Sequence, residues 1–450
     1  MYKKIISTNI STYMKINIFG LGYVGCVSAA CLAKNNHIVT GIDIDSTKVN
    51  IINQCKSPIV EEGLDELINK TVSSGYLKAS NKEIPDSDIS IICVGTPSNE
   101  NGSLDLRYIK QVAEDLGNYL KKLNHYHVIV NRSTILPGSV ESILIPTLEN
   151  ISGKKLGDDF GVCMNPEFMR EGTSIYDYYN PPFTIIGSND EKSAGLVAQL
   201  YENVEAPIFF TDIKTAEMVK YASNTFHALK VTFANEIGNI CKRLNIDSHT
   251  VMEIFSKDTK LNISPYYLKP GFAFGGSCLP KDLRAINYKA RELDLELPLL
   301  NSLLQSNKNQ IENAFNLINR LNKKKVGFAG LSFKAGTDDL RESPVVELIE
   351  KLLGKGYQIS IFDREVSLAK LFGSNKKYIE MVIPHISSLM KSNIEDMIVE
   401  SEIVVIGKKE VAYKEPLLSA INKNGIYLFD LVRLFNNNEI PKERYEGICW

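Results

Sequence analysis

The sequence predicts an α/β protein with two Rossmann-like, doubly wound parallel-sheet domains joined by a long central helix. Strand-like and helix-like segments alternate from residue 14 to about 210, which is typical of a parallel sheet with helices on both faces. A second strand–loop–helix–strand unit begins at Lys325, and residues 212–257 between the units carry apolar side chains at helical spacing. We therefore expect an extension over 1–13, a first domain over 14–211, a central helical domain over 212–305 and a C-terminal domain over 306–450.

The bulk composition argues against several classes of protein. The 450 residues carry a formal net charge of -2, so neither nucleic acid nor a membrane surface is an expected partner. No apolar run reaches the roughly 18–20 residues that a membrane-spanning helix needs. Eight scattered cysteines without a C-x-x-C pair indicate reduced thiols and a cytoplasmic location. The six histidines show no metal-ligand spacing, so no metal site is expected.

A glycine-rich turn follows the first predicted strand. Lys15–Phe19 has a buried-strand pattern, and Gly20-Leu-Gly22-Tyr23-Val24-Gly25 comes directly after it. In such a fingerprint Gly20 permits the turn, Gly22 lets a pyrophosphate approach the backbone, and Gly25 allows close packing of helix and strand. The helix is expected over 26–34. This pattern predicts a dinucleotide-binding site.

Polar residues at the ends of the following strands extend this site. Asp43 ends the second strand, where a carboxylate accepts from a ribose diol and repels a 2′-phosphate. The predicted cofactor is therefore NAD rather than NADP. Lys48 is either a further contact to the ribose or a solvated helix lysine. Thr96 and Thr134 follow two later strands, at the edge where open α/β sheets bind their ligands.

Polar side chains also follow the strand predicted over 160–164. Glu167 and Glu171 would share one face if a helical turn followed Pro166. An acid there is suited to activating water, and the alternative is a pair of solvated loop glutamates.

The predicted central helix carries a polar stripe near its start. Glu217, Lys220, Asn224 and His227 advance by three or four residues. Lys220 and Asn224 are suited to stabilising an oxyanion, one as a charge and the other as an amide donor; the alternative is a solvated face. The apolar face of the same helix is a candidate surface for a second subunit, which predicts a homodimer or a higher homo-oligomer.

A cysteine lies in Gly271-Phe-Ala-Phe-Gly-Gly-Ser-Cys278-Leu-Pro-Lys-Asp282. The glycine pair permits a tight turn, and Pro280 suits the start of a helix predicted over 281–293. A thiol at a helix N-terminus is favoured as thiolate. Cys278 is therefore a candidate nucleophile, with a structural cysteine as the alternative. Beside a nicotinamide cofactor, such a thiol predicts that an aldehyde is captured and oxidised on the enzyme.

The second strand–loop–helix–strand unit lacks the three-glycine fingerprint. Its loop, 331–341, contains Lys334 and Arg341, which suit a diphosphate or a ribose. The alternative is two solvated basic residues.

Together these motifs resemble the UDP-glucose/GDP-mannose dehydrogenase family, from Met14 to Trp450. The motifs that match in order are the glycine fingerprint with Asp43, Val94-Gly-Thr-Pro97, Arg132-Ser-Thr134, Asn165-Pro-Glu-Phe, Glu217-Met-Val-Lys220 with Asn224, the cysteine motif, and Phe333-Lys334 with Arg341-Glu-Ser-Pro344.

The resemblance implies that the C6 alcohol of a nucleotide-bound hexose is oxidised to a uronate, with two NAD and one water consumed. Cys278 would hold a thiohemiacetal and then a thioester. Lys220 and Asn224 would stabilise oxyanions, Glu167 would activate water, and Thr134 and Asp282 would position water and protons. The implied hexose contacts are Glu171, Lys220, Asn224 and His227. The implied nucleotide contacts are Asn262, Tyr266, Tyr267, Lys334 and Arg341.

Within the family, three segments favour GDP-mannose as substrate and GDP-mannuronate as product. They are Lys260–Tyr267, Phe272–Phe274 and Glu446–Trp450. At the position of Lys269 an arginine is usual, and that arginine reaches the substrate of a neighbouring subunit. Lysine lacks the planar guanidinium group of arginine. The alternatives are UDP-glucose or a UDP-N-acetylhexosamine as substrate, a two-electron alcohol dehydrogenase, and an NAD-binding regulatory protein without catalysis.

Overall fold

The structure is a computed structural model that describes residues 13–81, 83–101, 103–170, 172–264, 270–276, 279–331, 340, 342–364, 366, 386–436 and 439–450. Several predicted site residues lie outside the described residues: Glu171, Tyr266, Tyr267, Lys269, Cys278, Lys334 and Arg341. The side chain of Asp282 is likewise not described, nor are residues 1–12 of the predicted extension. The chain divides into two compact units, Met1–Ala228 and Leu229–Trp450. The predicted domain boundaries stay a prediction.

The first unit is built on one eight-stranded sheet with the order β3-β2-β1-β4-β5-β6-β7-β8. Its strands are β1 Lys15–Phe19, β2 Ile38–Ile42, β3 Leu77–Ser80, β4 Ile89–Ile92, β5 His127–Asn131, β6 Phe160–Met164, β7 Thr184–Ser188 and β8 Ile208–Thr211. The order of the first six strands is that of a Rossmann fold, which confirms the predicted fold class. The first sheet departs from the predicted parallel arrangement in one pairing. β7 runs antiparallel to β6, because the chain re-enters the sheet at the end where β6 left it.

Helices cover both faces of this sheet. They are α1 Tyr23–Lys34, α2 Ser46–Asn53, α3 Leu64–Ser73, α4 Arg107–Leu120, α5 Ile145–Ser152, α6 Ser174–Tyr179 and α7 Glu191–Gln199. The buried apolar side chains of α1 and α3 belong to one cluster, and those of α4 and α5 belong to another. Because strands such as β1 and β4 contribute to both clusters, the sheet is doubly wound.

The predicted helix over 212–257 is two helices. α8 spans Ile213–Arg243 and α9 spans Ser248–Lys257. Asn245 between them has a φ of 55°, a left-handed conformation that ends a helix and that asparagine tolerates. Asp247 then caps α9, since its side chain accepts a hydrogen bond from the His249 amide at 2.9 Å. The prediction of one uninterrupted helix is therefore wrong, although a long helix does lead from the first sheet.

The second unit contains a five-stranded parallel sheet with the order β10-β9-β11-β12-β13. Its strands are β9 Lys325–Ala329, β10 Gln358–Phe362, β11 Ile403–Ile406, β12 Tyr427–Asp430 and β13 Tyr445–Gly447. Its further helices are α10 Leu279–Glu292, α11 Pro298–Arg320, α12 Pro344–Gly354, α13 Ile386–Leu389, α14 Ile394–Val399 and α15 Lys414–Asn424. Apolar clusters lie on both faces of the sheet. The predicted second Rossmann-like sheet is confirmed.

Candidate functional site

The glycine turn after β1 has the geometry that its sequence predicts. Gly20 has a φ of 92°, and a Cβ there would lie 2.8 Å from the Cys93 carbonyl oxygen. A Cβ on Gly25 would collide with the Gly20 carbonyl oxygen, whereas one on Gly22 would have no atom within 4 Å. Gly25 thus lets helix and strand pack closely, and Gly22 leaves open space for a ligand. The helix begins at Tyr23, three residues earlier than predicted, so its N-terminal amides belong to the turn.

Asp43 braces this turn. Its Oδ2 accepts a hydrogen bond from the Leu21 amide at 2.6 Å, and its Oδ1 accepts one from the Asp45 amide at 2.9 Å. The Nζ of Lys48 lies 3.5 Å from Asp43 Oδ2. Lys48 is therefore paired with this carboxylate, and the structure does not test its predicted contact with a ribose.

A cavity of about 830 Å³ opens beside the turn. Its wall includes Gly20, Gly22, Asp43, Ile44, Lys48 and the strand-end residues Cys93, Val94 and Gly95. These residues fit a dinucleotide, because Gly22 leaves the backbone accessible and Asp43 places an acceptor on the wall. Of the two threonines predicted at strand ends, Thr96 donates through Oγ1 to the Thr134 carbonyl oxygen at 2.7 Å. This bond ties the ends of β4 and β5 together.

Glu167 and Lys220 form a nearly buried ion pair. Lys220 Nζ donates to Glu167 Oε1 at 2.9 Å and to the Glu167 carbonyl oxygen at 2.6 Å. The two side chains are 12% and 9% exposed. The second carboxylate oxygen of Glu167 accepts from the Met169 amide at 2.7 Å. The structure thus brings together two residues that the sequence analysis assigned to separate constellations.

The predicted helical turn after Pro166 is absent, because residues 165–170 are not helical. The Glu167 carboxylate instead accepts a hydrogen bond from the Met169 amide, two residues further along the chain. The geometric reason given for pairing Glu167 with Glu171 is therefore wrong.

The polar stripe on α8 divides into buried and exposed members. Glu217 is fully buried and accepts from the amides of Gly138 and Val140 at 2.5 and 3.0 Å, and burial raises the pKa of its carboxyl. It anchors α8 to the segment after β5. Asn224 and His227 are exposed, one and two turns beyond Lys220. Asn262, in the turn after α9, donates to the Phe255 carbonyl oxygen at 3.2 Å.

Glu61 is a functional candidate that the sequence analysis missed. Its buried carboxylate accepts from the Tyr23 hydroxyl at 2.5 Å and from the amides of Gly172 and Ser174, each at 2.8 Å. Burial opposes ionisation, but these hydrogen bonds hold the pKa of Glu61 below its usual value. Burial, together with the bond to Glu61, raises the pKa of the Tyr23 hydroxyl to about 12. Glu61 thus ties the glycine turn to the segment after Glu167.

Four buried cysteines of the first unit have the properties of structural thiols. Burial raises the pKa of Cys26, Cys31, Cys93 and Cys163 to about 12, which keeps them protonated. Cys278 is not among the described residues, but the helix after it begins at Leu279 rather than at the predicted Lys281. In sequence, this cysteine therefore stands directly before a helix.

The turn after the first strand of the second sheet resembles the glycine turn of the first sheet, but its aspartate is paired with a buried lysine. Gly330 has a φ of 101°, and the Leu331 amide donates to Asp363 Oδ2 at 2.7 Å, as the Leu21 amide does to Asp43. Lys408 Nζ lies 3.3 Å from Asp363 Oδ1, and both side chains are buried. This carboxylate is therefore paired inside the protein.

Two classes of feature are absent from the part of the chain that the structure describes. It contains no group of three or more His, Cys, Asp or Glu residues able to hold a metal ion. None of its helices is long and apolar enough to cross a membrane.

Comparison with known proteins places most of the chain in one family. Residues 14–205 match the NAD binding domain of the UDP-glucose/GDP-mannose dehydrogenase family, residues 214–309 its central domain and residues 327–437 its UDP binding domain. The GDP-mannose 6-dehydrogenase of Pseudomonas putida is 51% identical over 440 residues, which cover 97% of this chain and 100% of the relative. The GDP-mannose 6-dehydrogenase of Azotobacter vinelandii is 47% identical over 440 residues, with the same coverage.

Solved structures agree. A 1.55 Å crystal structure of a ternary complex of GDP-mannose dehydrogenase from Pseudomonas aeruginosa has a TM-score of 0.92 at 50% identity, covering 97% of this chain and 100% of that chain. A UDP-glucose dehydrogenase from Pyrobaculum islandicum has a TM-score of 0.54 at 31% identity, covering 99% and 100%. The turn, its carboxylate and the cavity define a dinucleotide-binding enzyme domain. The chain belongs to the UDP-glucose/GDP-mannose dehydrogenase family, and the predicted NAD cofactor is confirmed.

Proposed function

We propose that this chain is a GDP-mannose 6-dehydrogenase, which oxidises the C6 alcohol of GDP-mannose to the carboxylate of GDP-mannuronate. The observation that carries the proposal is the nearly buried pair of Glu167 and Lys220. It places an acid and a cation side by side after β6, in the same unit as the dinucleotide turn. A protein that only bound NAD would have no use for this costly arrangement.

The reaction removes two hydrides from C6 in succession. NAD, when bound, accepts each hydride, so two NAD and one water are consumed for each uronate formed. Cys278 adds through its sulfur to the C6 aldehyde and gives a thiohemiacetal. Loss of the second hydride leaves a thioester, and water then displaces the thiolate and releases the uronate.

Lys220 stabilises the negative oxygen that develops on C6 at each addition, with Asn224 as an amide donor one turn along α8. The Glu167 carbonyl and carboxylate oxygens hold the Lys220 ammonium in one position. Because Glu167 also supplies a carboxylate, it takes a proton from the hydrolytic water. Thr134 and Asp282 position water and protons in this proposal.

Substrate recognition is assigned to two sets of residues. Glu171, Lys220, Asn224 and His227 contact the hexose, and Asn262, Tyr266, Tyr267, Lys334 and Arg341 contact the nucleotide. The GDP-mannose 6-dehydrogenase relatives support guanine over uracil, with 47 to 51% identity over 97% of the chain.

We also infer a cytoplasmic homo-oligomer formed through the central helix. Large apolar side chains of α8 are exposed in the single chain, among them Met218, Phe226 and Leu229, and a second subunit would cover them. Lys269 of one subunit would then reach the substrate of its neighbour. Sedimentation velocity of the purified protein tests this inference, because a monomer at micromolar concentration contradicts it.

The test of function is NADH formation with GDP-mannose and, separately, with UDP-glucose. We expect two NADH for each GDP-mannose consumed. Turnover with UDP-glucose alone would keep the chemistry and refute the assigned base. In Cys278→Ser we expect loss of uronate with NAD binding retained, and unchanged uronate formation in that variant would refute the thioester route.

A further inference from the structure

The backbone of residues 271–276, which precede Cys278 in sequence, is held at two points by amide side chains of α11. Asn307 contacts Phe274 twice: its Oδ1 accepts from the Phe274 amide and its Nδ2 donates to the Phe274 carbonyl oxygen, both at 2.8 Å. Gln310 Nε2 donates to the Gly271 carbonyl oxygen at 2.7 Å. Since the two amides are three residues apart, they lie on the same face of the helix.

The end of the chain contacts the same segment. Gln310 Nε2 lies 3.2 Å from Cys449 Sγ, and that thiol lies 3.7 Å from the Gly271 carbonyl oxygen. Ile448 and Phe272 pack against the same apolar cluster of the second sheet. The final residues thus complete the set of contacts around Gly271.

Close packing fixes the segment at its other end. A Cβ on Gly275 would collide with the Glu342 carbonyl oxygen and would lie 2.6 Å from Pro344 Cδ. Glu342 in turn accepts from the Arg284 guanidinium on α10, the helix that begins directly after Cys278. The backbone on both sides of this cysteine is therefore tied to the same few residues.

We propose that Asn307 and Gln310 are positioning residues that set the place of the Cys278 thiol through the backbone before it, with Cys449 as an auxiliary contact. The inference rests on the proposed function, because it takes Cys278 as the nucleophile. The hydrogen bonds that carry it, from Asn307 to Phe274 and from Gln310 to Gly271, are made to backbone atoms. They therefore fix the backbone of this segment independently of its side chains.

The test compares Asn307→Asp with Asn309→Asp. Aspartate at 307 keeps the shape and the acceptor for the Phe274 amide, but it sets a charged oxygen against the Phe274 carbonyl. Asn309 lies between the two positioning residues in sequence, is exposed and accepts a hydrogen bond from the Gln305 side chain, so the same change there is a matched control. In N307D we expect kcat to fall about 100-fold, the cost of misplacing a reacting group by about 1 Å. The KM for NAD should stay within about twofold of the wild-type value, since the dinucleotide turn belongs to the other unit.

A second readout does not need the sugar substrate. Iodoacetamide modifies Cys278, and peptide mapping gives its rate relative to that of Cys55, which is partly exposed in the first unit. We expect N307D to slow the modification of Cys278 severalfold and to raise the pH at which it is half-maximal, because Cys278 directly precedes α10 in sequence and its predicted thiolate character depends on that position. Cys55 should be unaffected in both variants.

The outcomes separate the inference from the proposed function. Equal kcat and equal Cys278 modification in N307D and N309D would overturn the inference. A wild-type protein inactive with both sugar nucleotides would overturn the proposed function, while the modification rates would still decide the inference. Should N307D fail to fold, Gln310→Ala carries the same comparison, and Cys449→Ala should show the same effects more weakly.

Discussion

The buried carboxylate of Glu61 offers the sharpest test of how the dinucleotide turn is held. In Glu61→Gln the side chain keeps its size, but its amide nitrogen must face donors from Tyr23, Gly172 and Ser174. Hydrogen bonds to a charged group contribute about 1.5–3 kcal/mol each, and an unpaired buried donor costs a similar amount. We therefore expect the 172–174 segment to lose about 2 kcal/mol of local stability, which corresponds to roughly 30-fold faster amide exchange.

The assay is hydrogen exchange followed by mass spectrometry on peptides covering 172–176. Glu62→Gln is the matched control, because Glu62 is the exposed neighbour of Glu61 and takes the same substitution. NAD affinity should also weaken in E61Q, since Tyr23 opens the helix of the glycine turn. Identical exchange in E61Q and E62Q would refute the reasoning.

The same group predicts a pH dependence. The folded protein holds the pKa of Glu61 below its usual value, so its contribution to stability is fully present above the unfolded pKa of about 4.3. The contribution disappears as the pH falls below that value and through the folded pKa. Protection of the 172–174 amides should therefore decline with acid in the wild type. In E61Q it should be low at every pH, and a parallel decline in both proteins would contradict this assignment.

Four further substitutions test the site. Lys220→Ala should lower kcat by about 100-fold or more, the effect of removing one oxyanion donor, while leaving the NAD dissociation constant unchanged in equilibrium titrations. Asp43→Asn should reduce the preference for NAD over NADP by about tenfold in kcat/KM, because the repulsion of a 2′-phosphate is lost; an unchanged ratio would show that Asp43 does not set it. Gly22→Ala should fold with the melting temperature of the wild type and bind NAD weakly, whereas Gly25→Ala should melt lower. Equal melting temperatures would contradict the packing assigned to Gly25.

The glycine turn could be predicted because its geometry is a local property. Gly20 needs a positive φ and Gly25 needs close packing, and both demands follow from the few residues around them. The contact between Glu167 and Lys220 could not be derived in this way, since 53 residues separate them. Glu61 carries even less local signal, because two of its partners lie 111 and 113 residues away.

The break between α8 and α9 was predictable in part. Asn245 and Asp247 are residue types that end and cap helices, and both have those roles here. The regular apolar spacing on either side of the break concealed it. Apolar periodicity indicates which face of a segment is buried, but it does not indicate whether the helix is continuous. Capping residues inside a periodic run therefore indicate a helix boundary as strongly as periodicity indicates a helix.

The two Rossmann-like sheets show why a similar turn need not bind a similar ligand. In both sheets a glycine of positive φ follows the first strand. An aspartate after the second strand accepts a hydrogen bond from the amide of the residue that follows this glycine. Asp43 lies on the wall of an 830 Å³ cavity, whereas Asp363 is sealed from solvent with Lys408. Because a ribose could reach Asp363 only by displacing a buried ammonium, the second sheet cannot hold a dinucleotide in the way that the first does. This difference agrees with the match of the second region to a UDP binding domain rather than to a second NAD binding domain.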